Sequence, residues 1–236
     1  MSNYCYNFFT VKDITLNQWR DLAATFEDSK WYEGRGFLET YYPEPDWRNI
    51  PNYKGDLPSA PDANGISRFP DGTEDSRWSD WRKEHWGSKC DVCSCFNDWD
   101  MTVPSNNFDA ILSTAWFPLS NNCMAEISLR FPNCLLINCY HAEVLDLIGI
   151  TTAKDGNVLG YTDSYSNVCE SFMHQHSPDL YASITAESPN SEEDLEEYFW
   201  EHCDLGDLHA YIANYYESLA EKSTAYLIDL LAVASP

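Results

Sequence analysis

Basic side chains are scarce in this sequence, which has 14 lysines and arginines against 38 aspartates and glutamates in 236 residues, and a net charge of −24. Such a surface repels nucleic acid, because nucleic-acid binding depends on neutralising phosphates with basic side chains. It also repels anionic membranes. The charge therefore argues against direct contact with nucleic acid or membrane and favours basic partners, including the nucleic-acid channels of other proteins. An acidic surface that serves solubility alone is the simpler alternative.

Long apolar runs are also absent. No window approaches the roughly 18 consecutive apolar residues that a membrane-spanning helix needs. The opening MSNYCYNFFTVKD lacks a basic region followed by an apolar stretch and a cleavage site, which predicts no signal peptide. We therefore expect a protein of the cytoplasm, where thiols stay reduced. Most of the nine cysteines are expected to be small core residues.

The sequence motifs of common catalytic sites are missing as well. Neither a Gly-x-Ser-x-Gly nucleophile elbow nor a glycine-rich phosphate loop occurs. The six histidines are spread along the chain, so no set of nucleophile, histidine and acid has a recognisable spacing. These absences favour a binding protein over an enzyme and imply no cofactor.

Material for a packed core is abundant, because 44% of the residues are hydrophobic and 15% are aromatic. The periodicity of these residues separates strands from helices. We predict strands over residues 3–12, 108–117 and 133–140, helices over 15–28, 75–86 and 121–131, an extended segment over 89–103, and a hairpin over 149–161. This order predicts an α+β fold of the ferredoxin-like plan, an antiparallel sheet with helices on one face.

The C-terminal part of the chain has helical periodicity. Ser191 and Asp194 have the spacing of a capping box, in which the serine bonds a free backbone N–H and the acid reaches back. Apolar residues then recur at helical steps, with an interruption at Gly206. We predict a helical hairpin over residues 191–233.

Two domains are expected from this pattern. Residues 1–160 form the ferredoxin-like domain, with a long irregular insertion at about 30–80 where prolines and glycines alternate. Residues 161–236 form an acidic helical extension. The stretch around His174 and His176 is predicted to be a surface loop rather than a metal site.

Three short stretches resemble one protein family. Residues 3–7 (NYCYN) are similar to its opening Asn-Trp-Cys-x-Asn, residues 81–89 (WRKEHWGSK) to its Trp-Gly-Thr-Lys-Trp-Asp block, and residues 113–118 (STAWFP) to its Thr-Ala-Trp-Ser-Pro-Pro block. The family is the Api-like ferredoxin-like domain of phage and plasmid proteins. The resemblance covers about residues 1–160 and implies an α+β sandwich carried by a mobile element. It implies no reaction.

The most unusual segment runs from residue 155 to residue 221, where 15 acidic residues occur without a lysine or arginine. On a helix, Glu193, Glu197 and Glu201 would stack along one face about 5–6 Å apart. Phosphates along a DNA strand follow one another at about 3.4 Å of rise, a comparable density of charge. The predicted partner-binding residues are Glu187, Glu192, Glu193, Asp194, Glu196, Glu197, Glu201, Asp204 and Asp207. A solvated hairpin with an acidic polar face is the alternative.

The first functional hypothesis is an inhibitor of a host nucleic-acid-binding defence protein. Its acidic, DNA-mimicking surface would dock on a basic surface of a CRISPR effector or a restriction enzyme, in keeping with an origin in a mobile element. Attraction between opposite charges would make the encounter fast and sensitive to salt.

Two alternative hypotheses remain open. A zinc-binding or enzymatic centre could use His85, Cys90, Cys93 and Cys95, although tetrahedral sites usually take two well-separated pairs of ligands. A structural role would instead use the C-terminal helices as the seam of a homodimer. The seam residues would be Leu208, Ile212, Tyr215 and Leu219.

Overall fold

The fold is known from a computed structural model. It describes residues 4–27, 36–92, 94–95, 106–176, 178–179, 182, 214–215 and 218–225. Across these residues, no helix has both the length and the apolar character needed to cross a bilayer.

Six strands of the described residues form one antiparallel sheet. The strands are β1 (Tyr4–Lys12), β2 (Ser94–Cys95), β3 (Asn107–Ala115), β4 (Leu135–Ala142), β5 (Leu147–Lys154) and β6 (Asn157–Asp163). Their spatial order is β2-β3-β1-β4-β5-β6, and every neighbouring pair is antiparallel. The central strand β1 therefore pairs on both sides with strands that are distant in sequence.

The helices occupy the connections between strands and the segment after β6. They are α1 (Leu16–Glu27), α2 (Phe37–Tyr41), α3 (Arg77–His85), α4 (Asn121–Arg130) and α5 (Tyr165–His176), with 3-10 turns at Trp47–Asn49 and Glu143–Leu145. Residues 218–225 are also helical. Helix α1 begins with a capping box, because the hydroxyl of Thr15 accepts from the N–H of Gln18 while the Gln18 side chain accepts from the N–H of Thr15.

One face of the sheet carries the larger core. Phe9 and Val11 of β1 point into it and are fully buried. Leu22 of α1 and Ile127 of α4 pack against them, as the apolar stripes of these helices require. Phe37 of the short helix α2 closes the same core with its ring 5.6 Å from that of Phe9.

The opposite face of the sheet is covered by α5. Ile137 of β4 and Ile150 of β5 form a second core with Val168 and Phe172 of this helix. The expectation of helices on one face alone was therefore wrong, as was the surface loop expected around His174. The physical reason is that β4 is buried on both faces, and strands of that kind need cover on each side.

The coarser predictions for the fold are confirmed. The protein has an α+β fold with an antiparallel sheet, and the predicted strands and helices between residues 4 and 163 occur within a few residues of their expected bounds. The division at residue 160 stays a prediction, although β6 continues through Asp163. Most of the predicted hairpin at 191–233 lies outside the described residues.

The described part of the insertion is irregular, as expected. Contacts of Arg77 hold it together. The guanidinium of Arg77 lies 5.2 Å from the ring of Trp47 and 5.1 Å from that of Phe69. It also donates to the carbonyls of Trp47 and Pro51 at 3.2 and 3.1 Å. These contacts join the 3-10 turn, the following loop and α3 into one packed unit.

Candidate partner-binding surface

The nine predicted partner-binding carboxylates lie outside the described residues. Five acidic residues of the same segment are described, namely Asp155, Asp163, Glu170, Asp179 and Glu221, and all of them except the half-buried Asp163 are exposed. The segment itself contains no lysine or arginine, and Lys154 and Lys222 flank it on either side.

Five ion pairs among the described residues lie between residues 44 and 83. They join Arg48 to Asp46, Lys54 to Asp71, Arg77 to Asp75, Arg82 to Glu44 and Lys83 to Asp80. The lysines and arginines of these pairs therefore neutralise acids of the insertion and of α3. None of these five pairs includes Asp155, Asp163, Asp179 or Glu221.

Asp163 is held by hydroxyl groups. The hydroxyl of Tyr215 donates to its carboxylate at 3.3 Å, and that of Tyr161 does so at the same distance. Burial, followed by the negative charge of Asp163, raises the pKa of Tyr215 well above its usual range. The carboxylate is therefore fixed in place without a positive charge from these two partners.

The predicted homodimer seam is partly used within the chain itself. Tyr215 and Leu219 pack against the second core, beside α5. The hydroxyl of Ser223 lies 2.8 Å from that of Thr152 on β5. These contacts join the helical residues 218–225 to the sheet of their own chain, and the homodimer seam stays a prediction. Leu208 and Ile212 lie outside the described residues.

The predicted metal ligands divide between described and undescribed positions. The ring of His85 stacks on that of Trp81 at 4.4 Å, and its Nδ1 lies 3.0 Å from the Trp81 carbonyl. Cys90 is exposed. Cys93 and the side chain of Cys95 lie outside the described residues. Among the described side chains, no group of three or more histidines, cysteines and acids is placed to hold a metal ion.

Most of the described cysteines are core residues, as the sequence predicts. Cys5, Cys123, Cys134 and Cys139 are buried, and Cys169 is half-buried. Burial raises the pKa of Cys5 to about 12 and that of Cys139 to about 12. The neutral thiol is not the nucleophilic form, so these positions have the character of small apolar core residues.

A surface groove of about 490 Å³ lies on the insertion and was not predicted from the sequence. Lys54 and Arg77 line it, together with Phe69 and Asp71. Lys54 already donates to Asp71 at 2.9 Å, and Arg77 to Asp75 at 2.7 Å. The groove therefore offers apolar surface and balanced charges rather than an open anion site.

Asp91 is an acidic side chain that is held within the main domain. Its carboxylate accepts from the N–H groups of Leu38 and Glu39 at the start of α2, each at 2.9 Å, and from that of Val92 at 2.8 Å. Gly36 lies so close that a Cβ there would overlap the carboxylate. Burial raises the pKa of Asp91 despite these bonds. Asp91 is therefore a clamp for α2.

The pH dependence of stability should reveal the burial of the Asp91 carboxyl group. The pKa of Asp91 is raised in the folded chain, so its contribution to folding is full below the ordinary value of about 4 and is lost as pH rises through the raised value. We expect the stability of Asp91→Asn, relative to that of the wild type, to increase as pH rises across this window. Urea unfolding at a series of pH values measures the difference.

Asp62 provides a control of opposite sign. The backbone N–H groups of Ile66 and Asn64 lower its pKa, so its contribution is present above the ordinary value and is lost as pH falls through the lowered one. The stability of Asp62→Asn, relative to that of the wild type, should therefore decrease as pH rises. If both variants showed the same trend with pH, burial would not be the dominant influence on the Asp91 carboxyl group.

No family model, curated protein or solved structure matches this chain. The resemblance to the Api-like family stays a prediction. The charges of this chain and its exposed aromatic side chains are therefore the features that bear on its function.

Proposed function

We propose that this protein is a non-enzymatic inhibitor that docks an acidic surface on the nucleic-acid-binding site of a basic host protein. The observation that carries the proposal is the separation of charge along the chain. Five ion pairs lie within residues 44–83 of the described chain, whereas the sequence of residues 155–221 contains 15 acids and no lysine or arginine. Carboxylates in such an excess attract a surface that has evolved to bind phosphates.

The order of strands supports the finer description of the fold. The four strands β2-β3-β1-β4, with α1 and its following insertion between β1 and β2 and α4 between β3 and β4, have the connections of a ferredoxin-like domain. In this proposal β5, β6 and α5 are additions to that plan, and an acidic helical hairpin follows them. The proposal also includes membership of the Api-like family of phage and plasmid proteins.

The proposed target class follows from the charge and from this family assignment. Mobile elements benefit from blocking host nucleases, and a nuclease such as a CRISPR effector or a restriction enzyme has a basic channel for DNA or RNA. A protein that occupies the channel in the host cytoplasm needs no catalytic residue and no cofactor. Its affinity arises from many charge pairs and from the apolar contacts between them.

Competition with DNA provides the test of this function. The chain is immobilised and exposed to bacterial proteins that were first retained on a duplex-DNA column. We expect it to retain a subset of them and to release that subset when duplex DNA is added. We also expect release as salt approaches about 1 M, where the Debye length falls to about 3 Å. Retention that neither DNA nor salt reverses would contradict the proposal.

A further inference from the structure

The turn after β3 presents two aromatic side chains to solvent. Trp116 is 48% exposed and Phe117 is 52% exposed. The φ angle of Trp116 is +78°, in the left-handed region that bulky residues avoid. Strain of this kind persists where the surrounding structure overdetermines it, and it is concentrated at functional sites.

Three buried polar side chains hold this turn. The hydroxyl of Thr114 donates to the carbonyl of Phe117 at 2.6 Å, and the side-chain oxygen of Asn7 accepts from the N–H of Leu119 at 3.2 Å. The hydroxyl of Ser88 accepts from the N–H of the last residue of β3 at 3.0 Å. All three are at most 2% exposed, so polar groups in the interior fix the position of two aromatic rings outside it.

The same end of the sheet carries further surface groups. Tyr4, which is 40% exposed, pairs with the last residue of β3. The end of β4 pairs with the start of β5, and Asp163 at the end of β6 lies beside them. Asp146 lies in the connection between β4 and β5. We call this region the aromatic end and define it by Tyr4, Trp116, Phe117, Asp146 and Asp163.

The two carboxylates of the aromatic end are held by neutral groups. Asp146 accepts from the hydroxyls of Ser164 and Ser166 at 2.6 and 2.7 Å. Burial alone would raise the pKa of Asp146, but these hydrogen bonds outweigh it and lower the pKa. Lys89 follows Ser88 in the chain and is an exposed cation near the turn. The two carboxylates outnumber it.

We propose that the aromatic end is an apolar anchor by which this chain docks on a protein partner whose contact surface is apolar at its centre and basic around it. The negative charge of the chain attracts the basic rim of the partner. The rings of Trp116 and Phe117 contact its apolar centre, since tryptophan is enriched among the residues that dominate binding energy. Lysines and arginines of the partner can also lie over exposed aromatic faces. The inference rests on the proposed function, because it concerns the same basic partner.

The size of the aromatic end fits an anchor rather than a whole interface. An aromatic side chain buries about 150–250 Å² when fully covered, and stable interfaces bury about 800 Å² on each partner. Two half-exposed rings supply a small part of that area. The remaining contacts would come from the acidic segment, so the anchor and the charges contribute separately measurable parts of the affinity.

Two synthetic peptides separate these parts. The first is an amphipathic helix of leucine and lysine, and the second has the same length and lysines with alanine in place of leucine. The wild-type chain is expected to bind the leucine peptide about tenfold more tightly than the alanine peptide at low salt. In the variant Trp116→Gly/Phe117→Ser this ratio should fall close to one, while affinity for the alanine peptide changes by less than about twofold.

A matched control removes exposed apolar side chains elsewhere. Tyr53 and Leu57 of the insertion are 93% and 52% exposed, and Tyr53→Ser/Leu57→Ser should keep the wild-type ratio. The inference is overturned if the aromatic-end variant keeps the ratio, if the control loses it, or if the wild type does not discriminate between the peptides. Failure of the proposed function would appear differently, as an absence of salt-sensitive binding to the alanine peptide.

The strained backbone provides a second measurement that does not depend on binding. Glycine adopts the left-handed conformation freely, whereas alanine is strained there. Trp116→Gly should therefore have a folding equilibrium constant about fivefold or more above that of Trp116→Ala. Both variants lack the ring, so urea unfolding isolates the backbone. Equal stability of the two would remove the argument that the turn is held under strain to display Trp116.

Discussion

Alanine in place of Gly87 is expected to lower the free energy of unfolding by about 3 kcal/mol or more. Gly87 has a φ angle of +79° and follows the end of α3. A Cβ at this position would overlap the carbonyl oxygen of Pro118 and lie 2.8 Å from the backbone nitrogen of Ser120. Both atoms are backbone, so neither can rotate away, and the clash adds to the cost of the left-handed conformation.

Gly72 separates the two contributions to this cost. Its φ angle is +85°, yet a Cβ there would meet nothing within 4 Å. Gly72→Ala should therefore cost about 1–2 kcal/mol, the price of the left-handed conformation alone. Urea unfolding of both variants measures the difference. If the two substitutions had equal effects, the close packing of Gly87 against the turn after β3 would be refuted.

Asn7→Ala is the second change with a large expected effect, about 3 kcal/mol of destabilisation. The side chain of Asn7 is fully buried and donates to the hydroxyl of Thr114 at 2.9 Å. Its oxygen accepts from the backbone of Leu119 at 3.2 Å and from the amide of Asn138 at 3.0 Å. Removing it leaves two buried donors without this acceptor, at a cost of about 1–3 kcal/mol each.

An exposed asparagine supplies the control for this prediction. Asn167 lies on the exposed side of α5, and Asn167→Ala should change stability by less than about 0.5 kcal/mol. A double-mutant cycle with Asn138→Ala should show strong coupling to Asn7, because the two amides share a hydrogen bond. Chemical denaturation of the four chains gives the coupling energy. Additive effects would contradict the network.

The local elements could be predicted from the sequence because their signals are local. The helix over 16–27 has a capping box and a regular apolar stripe, and the hairpin of β5 and β6 has its turn at Asp155 and Gly156. Asp155 and Gly156 both adopt positive φ there, as such turns require. Each of these patterns is complete within a few residues.

The sequence also contains signals for the helix that covers the second face of the sheet. Tyr165, Val168, Phe172 and Met173 are buried residues of α5 and follow the helical spacing of an amphipathic stripe. Residues 135–140 form a continuous buried run, which is typical of a strand covered on both faces. Together these two patterns predict a helix packed on the second face.

The candidate surface was harder to predict, because it is assembled by pairings that are distant in sequence. Tyr4 lies beside the end of β3 because β1 pairs with β3, and Asp163 lies at the same end of the sheet, three strands beyond β1. From sequence alone, a tryptophan side chain is expected to be buried rather than exposed to solvent. The exposure of Trp116 follows from the buried hydrogen bonds that hold its turn, and those are visible in three dimensions alone.

The central claim is that the acidic segment, rather than net charge in general, binds the partner. It is tested by neutralising five acids at a time in two places, with Asp→Asn and Glu→Gln. The first set is Glu193, Glu197, Glu201, Asp204 and Asp207, and the matched set is the exposed Asp13, Asp21, Glu74, Asp80 and Glu84. The two variants have equal net charges, because each set removes five negative charges.

The measurement is retention of the DNA-displaceable bacterial proteins on each immobilised variant at equal salt. The account predicts that the first variant loses most of this retention, while the matched variant keeps most of it. Equal loss in the two variants would mean that the chain acts through its overall charge, and the claim of a localised DNA-mimicking surface would be wrong.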